Sequence, residues 1–120
     1  MMKITASISV GELLDKISIL QIKSKNINSS YVKKELDDLI EIAKTNKVYD
    51  EKYLSELLEV NQFLWNIEDE LRICEKQGNF DKIFIHNARM VYITNDKRAS
   101  IKKKINEKYN SHYQEIKVHK

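Results

Sequence analysis

Apolar residues recur at Val10, Leu13, Leu14, Ile17, Leu20 and Ile27, the spacing of three and four that lays one stripe along a helix. At about 100° per residue, Ile19 and Ile22 fall on roughly the opposite side. A helix apolar on two faces belongs at the centre of a bundle or in an interface. Ser9 stands three positions before Glu12, the capping-box arrangement in which each side chain answers the other's backbone N–H, so the helix starts at about Val10. After the polar break NINSS, the residues Val32, Leu36, Leu39, Ile40 and Ala43 make a one-sided amphipathic helix that ends near KTNK.

Two long periodic stretches follow, from about Asp50 to Lys76 and from about Phe80 to Tyr109. Leu54, Leu57, Leu58, Leu64, Trp65 and Leu71 form the apolar arc of the first; Phe80, Phe84, Ala88, Val91, Ile105 and Tyr109 form that of the second. Between them, Gly78 suits a helix stop and Asn79 an N-cap, which predicts an antiparallel hairpin. The chain ends alternate instead: Ile4, Ala6 and Ile8 against Lys3, Thr5 and Ser7, and Ile116 and Val118 against Lys117 and His119. Pairing of these ends as short strands is therefore expected. The fold read from the pattern is an all-α helical bundle built on a long antiparallel helix hairpin, one domain over residues 1–120.

Composition sharpens this picture. The chain has no proline and only Gly11 and Gly78, so helix breakers are nearly absent and turns are few. An apolar content of 42% supports a folded core rather than a disordered chain. Cys74 is alone, which excludes a disulfide framework and a cysteine-based zinc site. His86, His112 and His119 lack partners at metal-ligand spacing, so neither a metal nor a cofactor is expected. No stretch approaches the roughly 18 apolar residues of a membrane span, and the N-terminus lacks the apolar run of a signal peptide, pointing to a cytoplasmic protein.

The chemistry lies where polar residues interrupt apolar arcs. Asn61, Glu68 and Arg72 fall inside the arc of the first long helix, beside Trp65; Asn95, Arg98 and Lys102 fall inside that of the second. Charges placed there must be paired or must bind something, because an isolated buried charge costs several kcal/mol. Glu68 and Arg72 are an i,i+4 pair that can satisfy itself, so a buried ion-pair network fixing register and a ligand site both remain open. The chain uses lysine almost everywhere, yet Arg72, Arg89 and Arg98 all lie in this hairpin, and guanidinium offers carboxylates and phosphates a planar fork that lysine cannot. A second group, Arg89, Tyr92 and Asp96, shares one flank. Asn95 and Asp96 are poor mid-helix residues and are expected to have assigned partners, in Ser9 to Asp15 of the first helix.

The segments ISVGELLDKISILQIK, VNQFLWNIEDELR and FIHNARMVYITNDKRASIKKKIN together resemble a family of small bacterial and phage proteins catalogued only as a domain of unknown function. Members occur near, or joined to, sugar-transfer and polysaccharide proteins. The resemblance covers nearly the whole chain and marks Gly11, Glu12, Asp15, Lys16, Asn61, Trp65, Asp69, Arg72, Arg89, Tyr92, Asn95, Asp96 and Arg98. It implies membership and supplies no reaction.

The function expected from these readings is a helical binding module. Its polar stripe between the two long helices would hold an anionic small molecule, a sugar phosphate or nucleotide sugar, or else dock a partner protein. One alternative is a small all-α enzyme that stabilises an anionic metabolite with arginine and glutamate. Another is nucleic-acid binding through the basic C-terminal helix, where eight basic residues from Lys97 onward face only Glu107 and Glu115. The aromatics are not interleaved with that charge, which counts against nucleic acid. Ile19, Ile22, Ile85 and Ile93 lie off the main stripes and lead us to expect a homodimer.

Overall fold

The computed structural model describes residues 1–119 and contains four helices: α1 (Val10–Asn26), α2 (Ser30–Thr45), α3 (Glu51–Gln77) and α4 (Lys82–Lys108). Their ends follow from local chemistry. The Ser9 hydroxyl accepts from the Glu12 N–H at 3.0 Å, but Glu12 does not close the capping box; its carboxylate reaches Lys102 instead, at 2.8 Å. Gly78 ends α3 in the left-handed region at φ 64°, a conformation that only glycine adopts without strain. Asn79 does not cap α4. Its N–H donates to the Cys74 carbonyl at 2.9 Å and completes the end of α3, so the cap passes to Asp81, whose side chain accepts from the Ile83 N–H at 3.0 Å.

α3 and α4 form the antiparallel hairpin, tied near the turn by Asn87 donating to Glu70 at 2.9 Å and at the far end by Lys108 and Tyr109 meeting Asp50. α1 alone touches all three other helices, which explains its two apolar faces. Leu13, Leu14 and Ile17 join Ala43, Leu54, Leu57 and Ile105 in one core, which α2 flanks with the partly buried Leu36, Leu39 and Ile40. Leu14, Ile17, Leu57 and Ile105 are fully buried, each contributing about 1.5–3 kcal/mol of apolar transfer. Burial thins toward the hairpin turn, where Ile73, Phe80, Ile83 and Ile85 are more than half exposed. Phe80 and Ala88, expected in the apolar arc, are therefore surface residues. Ile22 is buried within this one chain and Ile19 half-buried, so of the four isoleucines assigned to self-association only Ile85 stands open, with Ile93 half-covered.

The chain ends do not pair as strands among the described residues; Ile4, Ile116 and Val118 are exposed. A two-stranded ladder with nothing packed beneath it is marginal in water. Ion pairs hold the C-terminal segment along α4 instead: Glu115 with Lys102 at 3.3 Å and Lys117 with Asp96 at 2.9 Å.

Asp50 joins the start of α3 to the end of α4. It caps α3 by accepting from the Tyr53 N–H at 3.1 Å, and its Oδ2 accepts from Lys108 Nζ and Tyr109 OH, each at 2.6 Å. Burial raises its pKa, but these hydrogen bonds outweigh it and hold the group at about 2, against an ordinary 3.8. Because the folded pKa is the lower one, the stabilisation is complete above 3.8 and is lost as the pH falls through about 2. With Lys108 half in solvent, its size is about 1 kcal/mol. Asp50→Asn is expected to lose this at neutral pH and to flatten the acid limb of the stability curve over that window, as read by urea unfolding.

Candidate functional site

The face that α1 turns to the hairpin carries Gly11, Asp15, Ser18 and Ile22, spaced four, three and four. At Gly11 the two backbones nearly touch: its N–H donates to Asn106 Oδ1 at 2.7 Å, and a Cβ there would lie 2.7 Å from the Lys102 carbonyl oxygen. One turn on, Asp15 is fully buried. Its carboxylate accepts from Arg98 through both Nε, at 2.9 Å, and Nη2, and Oδ1 also accepts from Asn61 Nδ2 at 2.9 Å. The hydrogen bond from Arg98 to Asp15 raises the guanidinium's pKa against the opposing effect of burial. Asn61 gives its second N–H to Ser18 Oγ at 2.8 Å, while the Ser18 hydroxyl donates to the Asp15 carbonyl at 2.7 Å.

This network fixes the orientation of the Asn61 amide. The Asp15 carboxylate only accepts, and the Ser18 proton is already spent on a carbonyl, so both partners require the nitrogen. Asn61 Oδ1 then has no protein partner and stays accessible.

Above the network lies a groove of about 510 Å³. Ile19 and Ile22 of α1 wall it, α3 contributes Asn61, Leu64, Trp65, Glu68, Asp69 and Arg72, and α4 contributes Asn95 and Arg98. It thus lies between α1 and the hairpin, not between the two long helices alone. Six of the ten site residues read from sequence meet here: Asn61, Trp65, Glu68, Arg72, Asn95 and Arg98. Trp65, Asn95 and Arg98 are half-buried, and the Trp65 indole N–H, the Asn95 amide and Arg98 Nη1 have no hydrogen-bond partner among the described residues.

The buried ion pair is not the expected one. Glu68 and Arg72 do pair, at 2.7 Å, but on the open rim, with side chains 46% and 69% exposed. α1 covers this face of α3 at Asn61 and leaves it open two to three turns later, at Glu68 and Arg72. Burial falls instead on Asp15 and Arg98, with side chains 1% and 26% exposed.

The remaining four residues lie elsewhere. Arg89 and Tyr92 are exposed outside the groove, and Asp96 pairs with Lys117 rather than with α1. Asn95 and Arg98, one turn apart, face α1, whereas Arg89, Tyr92 and Asp96 follow the solvent side of the same helix. Lys102 is buried between Glu12 and Glu115, at 2.8 and 3.3 Å. Burial lowers its pKa, but the hydrogen bond from its ammonium to Glu12 and the nearby carboxylates outweigh this and raise it. The KKK triplet consequently shows solvent only Lys103 and Lys104.

The site residues read from sequence omitted Asp15, Ser18, Ile19, Ile22, Leu64 and Asp69, although the resemblance marked Asp15 and Asp69. The available signal was the small and polar run of Gly11, Asp15 and Ser18 on the second face of an otherwise apolar helix.

Fold and groove define a small all-α protein with a cleft of mixed apolar and polar lining, within the roughly 300–1,000 Å³ range of small-molecule sites. The chain belongs to a family described as a family of unknown function (DUF6165), matched over residues 2–120. No curated protein and no solved structure matches it. Among the described residues no helix is long and apolar enough to cross a membrane.

Proposed function

We propose that the protein is a cytoplasmic binding module whose groove holds an anionic small molecule of the sugar phosphate or nucleotide sugar type. The observation that carries this reading is the convergence of Trp65, Arg72, Asn95 and Arg98, each with polar atoms to spare, on a groove whose floor is locked from below by Asp15. Arg72 is the exchangeable cation. An exposed i,i+4 pair such as Glu68 with Arg72 is worth only about 0.3–0.5 kcal/mol, so an incoming phosphate or carboxylate displaces Glu68 at little cost. Arg98 spends Nε and Nη2 on Asp15 and keeps Nη1 for the ligand. The Trp65 ring is the apolar platform. The unpaired, buried Cys74 suits a reducing compartment.

A thermal-shift screen of phosphates, nucleotide sugars and carboxylates, followed by calorimetry on the hits, tests the proposal. Arg72→Met is expected to leave the melting temperature of the free protein within a degree or two while weakening the hits by about 10–100-fold, the worth of a charge-assisted hydrogen bond. Undiminished binding in that variant would overturn it, as would a panel in which no anion binds. Turnover assays on the same hits separate a binder from an enzyme.

A further inference from the structure

We infer that the groove prefers a ligand with one anionic group on a body bearing neutral hydrogen-bond donors, such as hydroxyls, and disfavours both donor-free anions and diphosphates. This rests on the anion-binding reading above and narrows it to sugars bearing a single phosphate or carboxylate, setting aside the nucleotide sugars that carry a diphosphate.

The first argument is charge. Arg72 and Arg98 are balanced on the rim by Glu68 and Asp69, and Asp15 adds a third carboxylate directly beneath. Three carboxylates against two guanidiniums leave the site one charge negative, so an anionic group enters only by displacing Glu68 from Arg72, and the rim holds one such exchangeable pair. A second phosphate would lie near Asp69 or Asp15 with no further cation in the lining to meet it.

The second argument is hydrogen bonding. Asn61 Oδ1 cannot turn away, because both amide N–H groups are committed to Asp15 and Ser18. A ligand that covers this residue, itself only 5% exposed, must supply a donor or leave a buried acceptor unpaired, which costs about 1–3 kcal/mol. Asp69 makes no ion pair among the described residues and is another acceptor on the wall. A neutral donor suffices for Asn61 Oδ1, an uncharged amide acceptor whose neighbour Asp15 is already neutralised by Arg98.

Trp65 is the sole tryptophan of the chain and lines the groove, so its fluorescence reports occupancy directly. Glucose 6-phosphate and glucuronate should bind at least about tenfold more tightly than propyl phosphate and hexanoate, which present the same anionic groups without hydroxyls, a difference of ~1.4 kcal/mol. UDP-glucose should bind no more tightly than glucose 6-phosphate. Asp69→Asn, which keeps an acceptor on an exposed helix position but removes its charge, should improve UDP-glucose binding about three- to tenfold. Parity between glucose 6-phosphate and propyl phosphate would overturn the inference while leaving the anion site standing. So would UDP-glucose as the tightest ligand, or an Asp69→Asn variant with unchanged discrimination. If none of these anions binds, by fluorescence or calorimetry, the site itself is refuted.

Discussion

Asp15→Ala is expected to lower the free energy of unfolding by about 3–5 kcal/mol, the loss typical when one partner of a buried ion pair is removed. A domain of this size holds only about 5–15 kcal/mol in total, so the change reaches a large fraction of its stability. The reasons lie in what Asp15 serves. Without its carboxylate, the Arg98 guanidinium is left desolvated with no counter-charge, and Asn61 Nδ2 loses one of its two acceptors. Asp15→Asn should fall in between, because an amide still accepts from Arg98 but carries no charge. Chemical denaturation of Asp15→Ala, Arg98→Ala and the double variant forms a cycle in which the two losses should be strongly non-additive, with a coupling of about 2 kcal/mol or more. Additivity would show that the pair is not what holds α1 to the hairpin. The rim pair is the counterexample: Arg72→Met combined with Glu68→Leu should change stability by no more than about 0.5 kcal/mol, since both side chains are largely solvated.

Gly11→Ala should destabilise by about 1–3 kcal/mol even though alanine is the better helix former by roughly 1 kcal/mol. The new methyl would meet the Lys102 carbonyl oxygen at 2.7 Å, Asn106 Oδ1 at 3.0 Å and the Lys102 Cα at 3.1 Å. Two of these are backbone atoms that no rotamer change can move, so α1 must shift away from α4. That shift lengthens the 2.7 Å bond from the Gly11 N–H to Asn106 and moves Asp15 one turn away. A fall in melting temperature accompanied by weaker ligand binding at the groove is the expected signature; a rise would show that the close approach is not real. Gly78→Ala also destabilises, but through its positive φ alone: open space surrounds that position, so binding at the groove should be unaffected.

How far the site was legible depends on what each residue needs from the rest of the chain. Asn61, Trp65, Glu68 and Arg72 share one face of α3, and counting along the helix brings them together with no knowledge of its neighbours. Asn95 and Arg98 are likewise one turn apart on α4. Their partner was not visible in this way. Asp15 lies 83 positions before Arg98 and 46 before Asn61; it recurs with Gly11 and Ser18 on one face of α1, but that spacing does not say which residues the face meets. Grouping Asp96 with the site failed for the same reason: helical phase shows which residues travel together, not which of two faces another helix will cover.

What the sequence determined by itself is the set of four helices, the hairpin between α3 and α4, and the central place of α1. These follow from periodicity, from the near absence of glycine and proline, and from caps formed within a few residues, all of them short-range interactions. What only the tertiary structure decided is which charges are buried. Glu68 with Arg72 and Asp15 with Arg98 are both acid–base pairs, but α1 packs over the second and leaves the first in solvent. That outcome is set by the close approach of α1 to α4 at Gly11, a contact between segments more than 90 residues apart.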